Sequence, residues 1–396
     1  MLGRTIRVGV AFALCVLLAG CWDRVEIDQR GFVIGVAIDK PPRSGKDQGG
    51  EAHDRYSVTY QIVIPSAIKE SNGKTGQGKT YFNITAQERS LSAVAAKMSL
   101  QTSRQPFMEH LKTIIVSSDM AKHNGGLSDV FDYFLRDKYM RRSAHVIISK
   151  GDAKKLLELE VPNEPLPALY LSVFDRNRRG SSYIAPQVRI GDVHEMLLRY
   201  ETFLIPCVTY KDKMVAAFDS VAVVDGRTNR MVGAMEQSDA QSLNFIRGVI
   251  NGGAMEFKLD GAEATFQIEG GNSEFKLTDR DPDNLGFLIT IRVSGALNET
   301  TSTESFKKTA TLDKAQNAVA NEIEERCAET IRYLQRSLKK DAMGLGGFLY
   351  ENHYRLWTGI RDNWDNGRNL FSNATIRVEA TVHIRRSGNI DKIRGA

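Results

Sequence analysis

The residues best placed to do chemistry stand at the front of the chain. Leu18-Ala19-Gly20-Cys21 sets one thiol behind small residues, at the close of an uncharged apolar run from Val8 to Leu18. A thiolate is the nucleophile that can accept a diacylglycerol group, and small residues before it suit a peptidase that must hold the backbone closely. Arg4 and Arg7 supply a basic head. The apolar run is shorter than the roughly 20 residues needed to cross a bilayer and has the length of a signal-peptide core. These features predict a lipoprotein leader over 1–20 and a lipidated Cys21, rather than an uncleaved anchor or an ordinary secretory signal. Two acyl chains make such a tether durable, because each buried methylene contributes about 0.8 kcal/mol. Trp22 follows at headgroup height, where indole rings are favoured; the plainer role for it is the first residue of a strand.

Other chemical patterns dissolve on inspection. Gly73 to Thr80 satisfies G-x-x-x-x-G-K-T. That loop works only between a strand and a helix, whose N-terminus helps to hold the phosphate. Here Tyr81 to Thr85 reads as a strand, so no nucleotide is expected. Val221 to Asp225 mimics a magnesium-binding strand end, but Asp225-Gly226 is better used as a turn. The seven histidines, His53, His110, His123, His145, His194, His353 and His383, show no metal-ligand spacing, and His194-Glu195 lacks a second histidine. There is no G-x-S-x-G elbow, and Glu324-Glu325 reads as solvated helix surface. No nucleophile, base and oxyanion donor come together, so no enzyme and no metal are predicted.

Removing 20 of the 396 residues leaves 376, more than one core usually takes. The formal charge of +5 falls to +3 when Arg4 and Arg7 leave, too balanced for a nucleic-acid binder. Cys15 departs with the leader and Cys21 carries lipid. Cys207 and Cys327 remain, as buried free thiols or as one bridge across 120 residues.

The elements follow from periodicity. Gly31 to Asp39 reads as a buried strand and Tyr56 to Pro65 as its antiparallel neighbour. Gln87 to Gln101 is helical with Leu91, Val94, Ala95, Met98 and Leu100 inward, and Leu127 to Arg136 is helical with Leu127, Val130, Phe131 and Phe134 inward. Strands are expected at Lys112 to Ser117 and Ala144 to Ser149, and Asp152 should cap a helix from Ala153 to Leu159. This gives an N-terminal α/β-type domain over 21–161 with exposed loops at 43–54 and 71–80, then a connector or small middle domain over 162–206 with Arg176 to Arg179 exposed. Residues 207–396 should form an α+β domain whose long amphipathic helix, about 312–339, lies on its sheet. The whole is an α+β multidomain chain with mixed or antiparallel sheets.

Leu-Ala-Gly-Cys21-Trp22-Asp23-Arg24, followed by Glu26-Ile27 and the Ile34 to Asp39 strand, resembles the start of GerAC-type (Ger(x)C) lipoproteins, the C subunits of spore nutrient germinant receptors. The likeness continues through Ser103-Arg104, Phe107, His110 and Lys112-Thr-Ile-Ile, with Glu109 where a glycine is expected, then through Arg136 and Arg141-Arg142. It closes with Asp341, Gly344, Gly346, Trp357, Trp364 and Arg385-Arg386-Ser387-Gly388. The resemblance implies three α+β domains, no catalytic site, and no cofactor beyond the acyl lipid on Cys21. It implies a lipid-anchored subunit on the outer face of the inner spore membrane, working with integral-membrane partners of the A and B type. Ser103, Arg104, His110, Asp341, Gly344, Gly346 and Trp357 would then hold turns and domain contacts. The competing expectation is a solute-binding lipoprotein that delivers a ligand to a transporter.

Overall fold

The computed structural model describes residues 29–42, 55–70, 79–301 and 308–385. Cys21, Trp22, Asp23 and Arg24, the loop 43–54 and most of the 71–80 stretch lie outside the described residues. The described strands form two sheets, one of ten strands and one of four.

The first sheet is built around β1 (Arg30–Asp39). It pairs antiparallel with β2 (Tyr56–Val63), Val36 opposite Tyr60 and Asp39 opposite Ser57, and β2 pairs in the same sense with β3 (Tyr81–Glu88). On its other side β1 runs parallel to β5 (Thr113–Ser117), and β5 runs parallel to β6 (His145–Ser149); the start of β1 also pairs in parallel with the short β4 (Gln105–Phe107). β6 takes the short β7 (Val188–Arg189) antiparallel and β8 (Phe203–Tyr210) in parallel. An antiparallel meander, β9 (Ala216–Asp225) and β10 (Arg230–Glu236), completes the sheet. Parallel neighbours need helical crossovers that cover the sheet faces, which explains why its central strands are continuous apolar runs. Helices Leu91–Ser99, Gly126–Arg136 and Ile190–Leu198 cover one face, and Ala153–Leu156 with Pro167–Ser172 the other.

Several expectations change here. The strands from Cys207 to Met235 do not open a C-terminal sheet. β8 joins β6 through Ile148–Cys207 and Ser149–Val208, pairings across some sixty residues that no local pattern announces, and β9 and β10 follow it into the first sheet. The helix at 91–99 is shorter than expected, because Gln87 and Glu88 belong to β3 and Ser90 accepts the Ala93 N–H as N-cap. Leu100 faces solvent at 87% exposure instead of lining the core. Asp152 makes no side-chain capping bond. Asp39, at the end of β1, accepts the N–H groups of Ala153 and Lys154 at 2.6 and 2.9 Å. In the connector, Arg176 and Arg179 are exposed, but Arg178 is half-buried and donates to Val249 O.

The second sheet runs β11 (Gly253–Leu259), β12 (Ala262–Asp279), β13 (Gly286–Thr300) and β14 (Thr375–Arg385). β14 is parallel to β13, so the segment between them must cross over, and the long helix Thr309–Tyr333 makes that crossing. Val319, Ile323, Cys327, Ile331 and Leu334 form its buried stripe, as the sequence spacing predicts. A single π-turn, Leu334–Leu338, ends it at Lys339, whose φ is 53°. Glu324 is not a solvated residue. Its carboxylate accepts the Ala380 N–H at 2.7 Å and the Gln316 side chain accepts that of Ile384 at 3.0 Å, so the helix satisfies the outer edge of β14.

Candidate functional site

Sequence reading nominates two groups of residues outside the leader, and the fold keeps them apart. Ser103, Arg104 and His110 sit on exposed loops at the end of the first sheet where β4 and β5 begin. The His110 ring lies edge-on to Phe32 at 5.3 Å, and Arg30 stacks over Phe107 at 4.0 Å. Glu109 meets Arg141 at 3.4 Å. The other group, Asp341, Gly344, Gly346, Trp357 and Trp364, converges on one buried point where the second unit meets the first.

That point is organised by the Asp341 carboxylate. Oδ1 accepts the N–H groups of Met343, Gly344 and Leu345 at 3.2, 3.0 and 3.2 Å; Oδ2 accepts the Gly346 N–H at 2.6 Å and Trp364 Nε1 at 2.9 Å. These are the orphan amides at the start of helix Leu345–Asn352, so the buried acid supplies the cap that the helix needs. Gly344 has φ +94°, a left-handed conformation that favours glycine. Gly346 is tightly enclosed, since a Cβ there would stand 3.0 Å from Trp357 and 3.1 Å from Trp364 Nε1 and the two rings would have to give way by a few tenths of an ångström. Trp357 and Trp364 meet edge-to-face at 6.3 Å, and Trp364 meets Phe371 at 5.7 Å. Burial pushes the Asp341 carboxyl up, while the Trp364 and backbone donors pull it back toward the ionised form.

The residue next to it links the two units. Lys340 Nζ lies 2.8 Å from Asp225 Oδ2, with side-chain exposures of only 11% and 6%, and also donates to Asp365 O and Asn366 Oδ1. Asp225 ends β9, and its other oxygen accepts the Arg227 and Thr228 N–H groups to form the turn that sequence predicts there. Asp365 accepts the Thr202 hydroxyl at 2.5 Å from just before β8, and the Asp341 N–H at 3.3 Å. At the rim, Arg227 reaches Arg361 O and Asp362. Gly226 packs so closely on Glu201 that a Cβ would fall 1.9 Å from Glu201 O. Sequence reading missed Lys340, Asp365, Thr202 and Glu201. The one available signal was the adjacency of Lys340 to Asp341 within the nominated segment.

Such an arrangement joins elements and offers little to a substrate. Nearly every donor and acceptor is already used. Two exceptions are Asn229 Oδ1, in the Asp225 turn, and Glu201 Oε1, both buried without a hydrogen-bond partner among the described residues; Glu201 Oε1 lies 4.0 Å from Arg199, and burial raises the pKa of that carboxyl. Among the described residues no group of three or more His, Cys, Asp or Glu side chains could hold a metal ion. Cys207 and Cys327 are free, and burial pushes both thiols up to about 12. Lys79-Thr80, the end of the phosphate-loop match, runs directly into β3, and the Thr80 hydroxyl donates to Pro165 O at 2.9 Å. The helix which that pattern requires is replaced by a strand.

Comparison with known proteins defines the class. The spore germination protein N-terminal domain matches residues 23–210, and the spore germination B3/GerAC-like C-terminal domain matches residues 219–388. The chain therefore belongs to the GerAC-type, or Ger(x)C, family of spore germination proteins. It is 27% identical to spore germination protein YndF of Bacillus subtilis (strain 168) over 391 residues, 95% of each chain. It is 25% identical to spore germination protein B3 of the same organism, over 98% of this chain and 99% of that one. The crystal structure of the GerBC protein superposes with a TM-score of 0.58 at 21% identity, covering 91% of this chain and 99% of that one, and shares its fold.

Proposed function

We propose that this chain is the lipid-anchored, non-catalytic C subunit of a nutrient germinant receptor, held on the outer face of the inner spore membrane. The observation that carries this reading is continuity. The lipidation signal ends at Cys21, and the match to the spore germination family begins at residue 23. No helix among the described residues is long and apolar enough to cross a membrane, so in this reading the attachment comes from diacylglycerol on Cys21. Integral-membrane subunits of the A and B type are the partners, and the folded body serves assembly and signalling.

Cys21→Ala should leave the leader uncleaved or release the chain from spore membranes. Mass spectrometry of the membrane-bound wild type should find a diacylglycerol thioether at Cys21, and an unmodified mature cysteine would overturn the anchor. Pull-down of the lipidated chain should recover a permease-like protein and a large membrane partner. Tight calorimetric binding of an amino acid or sugar to the lipid-free body would favour solute capture instead.

A further inference from the structure

The parallel strands of the first sheet begin at one common end. Arg30 opens β1, Arg104 directly precedes β4, Lys112 directly precedes β5, and Arg141 stands just before β6. All but the half-buried Arg30 are exposed. Two exposed apolar side chains stand at the same end: Leu100, the most exposed large apolar residue among those described at 87%, on the loop into β4, and Tyr139 at 51%, on the loop into β6. Tyr139 rests on Phe107 at 5.7 Å, and Lys138 Nζ lies 4.8 Å from the Tyr139 ring. The nearby acids are engaged. Glu109 faces Arg141, Asp137 accepts the Tyr139 N–H at 2.8 Å, and Asp132 holds Arg136. Exposed apolar and aromatic groups ringed by arginine and lysine are the composition that settles at a lipid–water boundary.

Chain geometry places this end near a bilayer. Gln29 is eight residues after Cys21, so the end cannot be farther than about 28 Å from the anchor. The far end of β1 is about another 30 Å away at the usual strand rise. The intervening segment carries Asp23, Glu26 and Asp28 against Arg24, so any attraction to an anionic surface must come from the folded end. We infer that the amino end of the first sheet docks on anionic phospholipid headgroups of the membrane that holds the anchor. The orientation rests on the lipid-anchored reading above; the affinity of the surface does not.

The test therefore uses the mature chain carrying Cys21→Ser, with no lipid attached, and sedimentation with phosphatidylglycerol or phosphatidylcholine vesicles. The chain should sediment with phosphatidylglycerol only, less so as salt rises. Arg104→Glu/Lys138→Glu/Arg141→Glu should weaken that binding at least about tenfold. Lys213→Glu/Met214→Ala, on the exposed loop at the opposite end, should leave it unchanged. Equal sedimentation of wild type and triple variant, or equal binding to both lipids, overturns the proposal. A fluorophore on Tyr139→Cys, with the two native thiols buried, gives a reading that does not depend on the triple variant folding. Its emission should shift to the blue with phosphatidylglycerol while the same label on Met214→Cys does not, and identical behaviour of the two labels also overturns the proposal. Loss of lipid from native Cys21 would sink the anchor alone.

Discussion

At the scale of single residues, Lys340 places the heaviest demand on its surroundings. An ammonium this far from water is tolerable only because a carboxylate and two oxygen acceptors meet it. Lys340→Met should cost about 3–5 kcal/mol in urea unfolding, since it leaves the Asp225 charge buried alone. Lys340→Met/Asp225→Asn should recover part of that loss. The amide oxygen of asparagine still accepts from Arg227 and Thr228, and no lone charge remains. Burial raises the Asp225 carboxyl, but Lys340 and those two N–H groups more than reverse the effect, so it sits below the ordinary carboxylate value. A group depressed in the folded state stabilises above the unfolded pKa of about 3.9 and loses that contribution as pH falls through the folded value. The gap between wild type and Lys340→Met should therefore be full at neutral pH and narrow below about pH 4. A gap that stays constant into acid would show that the charge pair is not its source.

At the scale of elements, the helix at Ala153–Leu156 separates what was legible from what was not. Its start is readable, because Asp152 followed by an apolar-periodic stretch marks a boundary. Its actual cap, Asp39, stands 114 positions earlier and can be identified only when β1 is folded beside it. Asp39→Ala should cost about 1–2 kcal/mol. Asp152→Ala, whose carboxylate makes only an exposed pair with Lys155 at 3.2 Å, should stay within about 0.5 kcal/mol. Thermal unfolding of the two variants decides between the caps, and equal losses would return the role to Asp152. The same division runs through the chain. The Leu127–Phe134 face and the Val319–Ile331 stripe follow from local spacing and are buried as expected. The parallel addition of β8 to β6, the edge bonds from Glu324 and Gln316 to β14, and the lysine at the junction depend on partners distant in sequence. Of the candidate site, the turn at Asp225 and the Asp341 to Trp364 segment were visible, whereas the contact that joins them was not.

At the scale of the molecule, the two sheets share a core as well as a polar joint. Leu204, Val221, Val223 and Met235, from one face of β8 to β10, pack in the same apolar cluster as helix Gln237–Ile246, the second sheet and the long helix. The opposite face of those strands, through Ile205, Cys207, Ala222 and Val224, belongs to the core of the first sheet. The segments matched by the two family domains meet between residues 210 and 219, inside the hairpin that pairs Thr209 with Ala217. A chain ended at Tyr210 would lose β9 and β10 and leave β8 as an uncovered edge. A chain begun at residue 219 would carry strands with no sheet to join. Shared burial of this size makes unfolding cooperative across both units, so calorimetry of the mature chain should give one transition. Neither fragment should show a cooperative transition by itself, and mixing the two should restore one only to the extent that the hairpin reassembles. Independent, native-like melting of residues 219–388 would show that the shared face contributes little, and that the two units are joined by the polar contacts at Asp225, Lys340 and Asp365 alone.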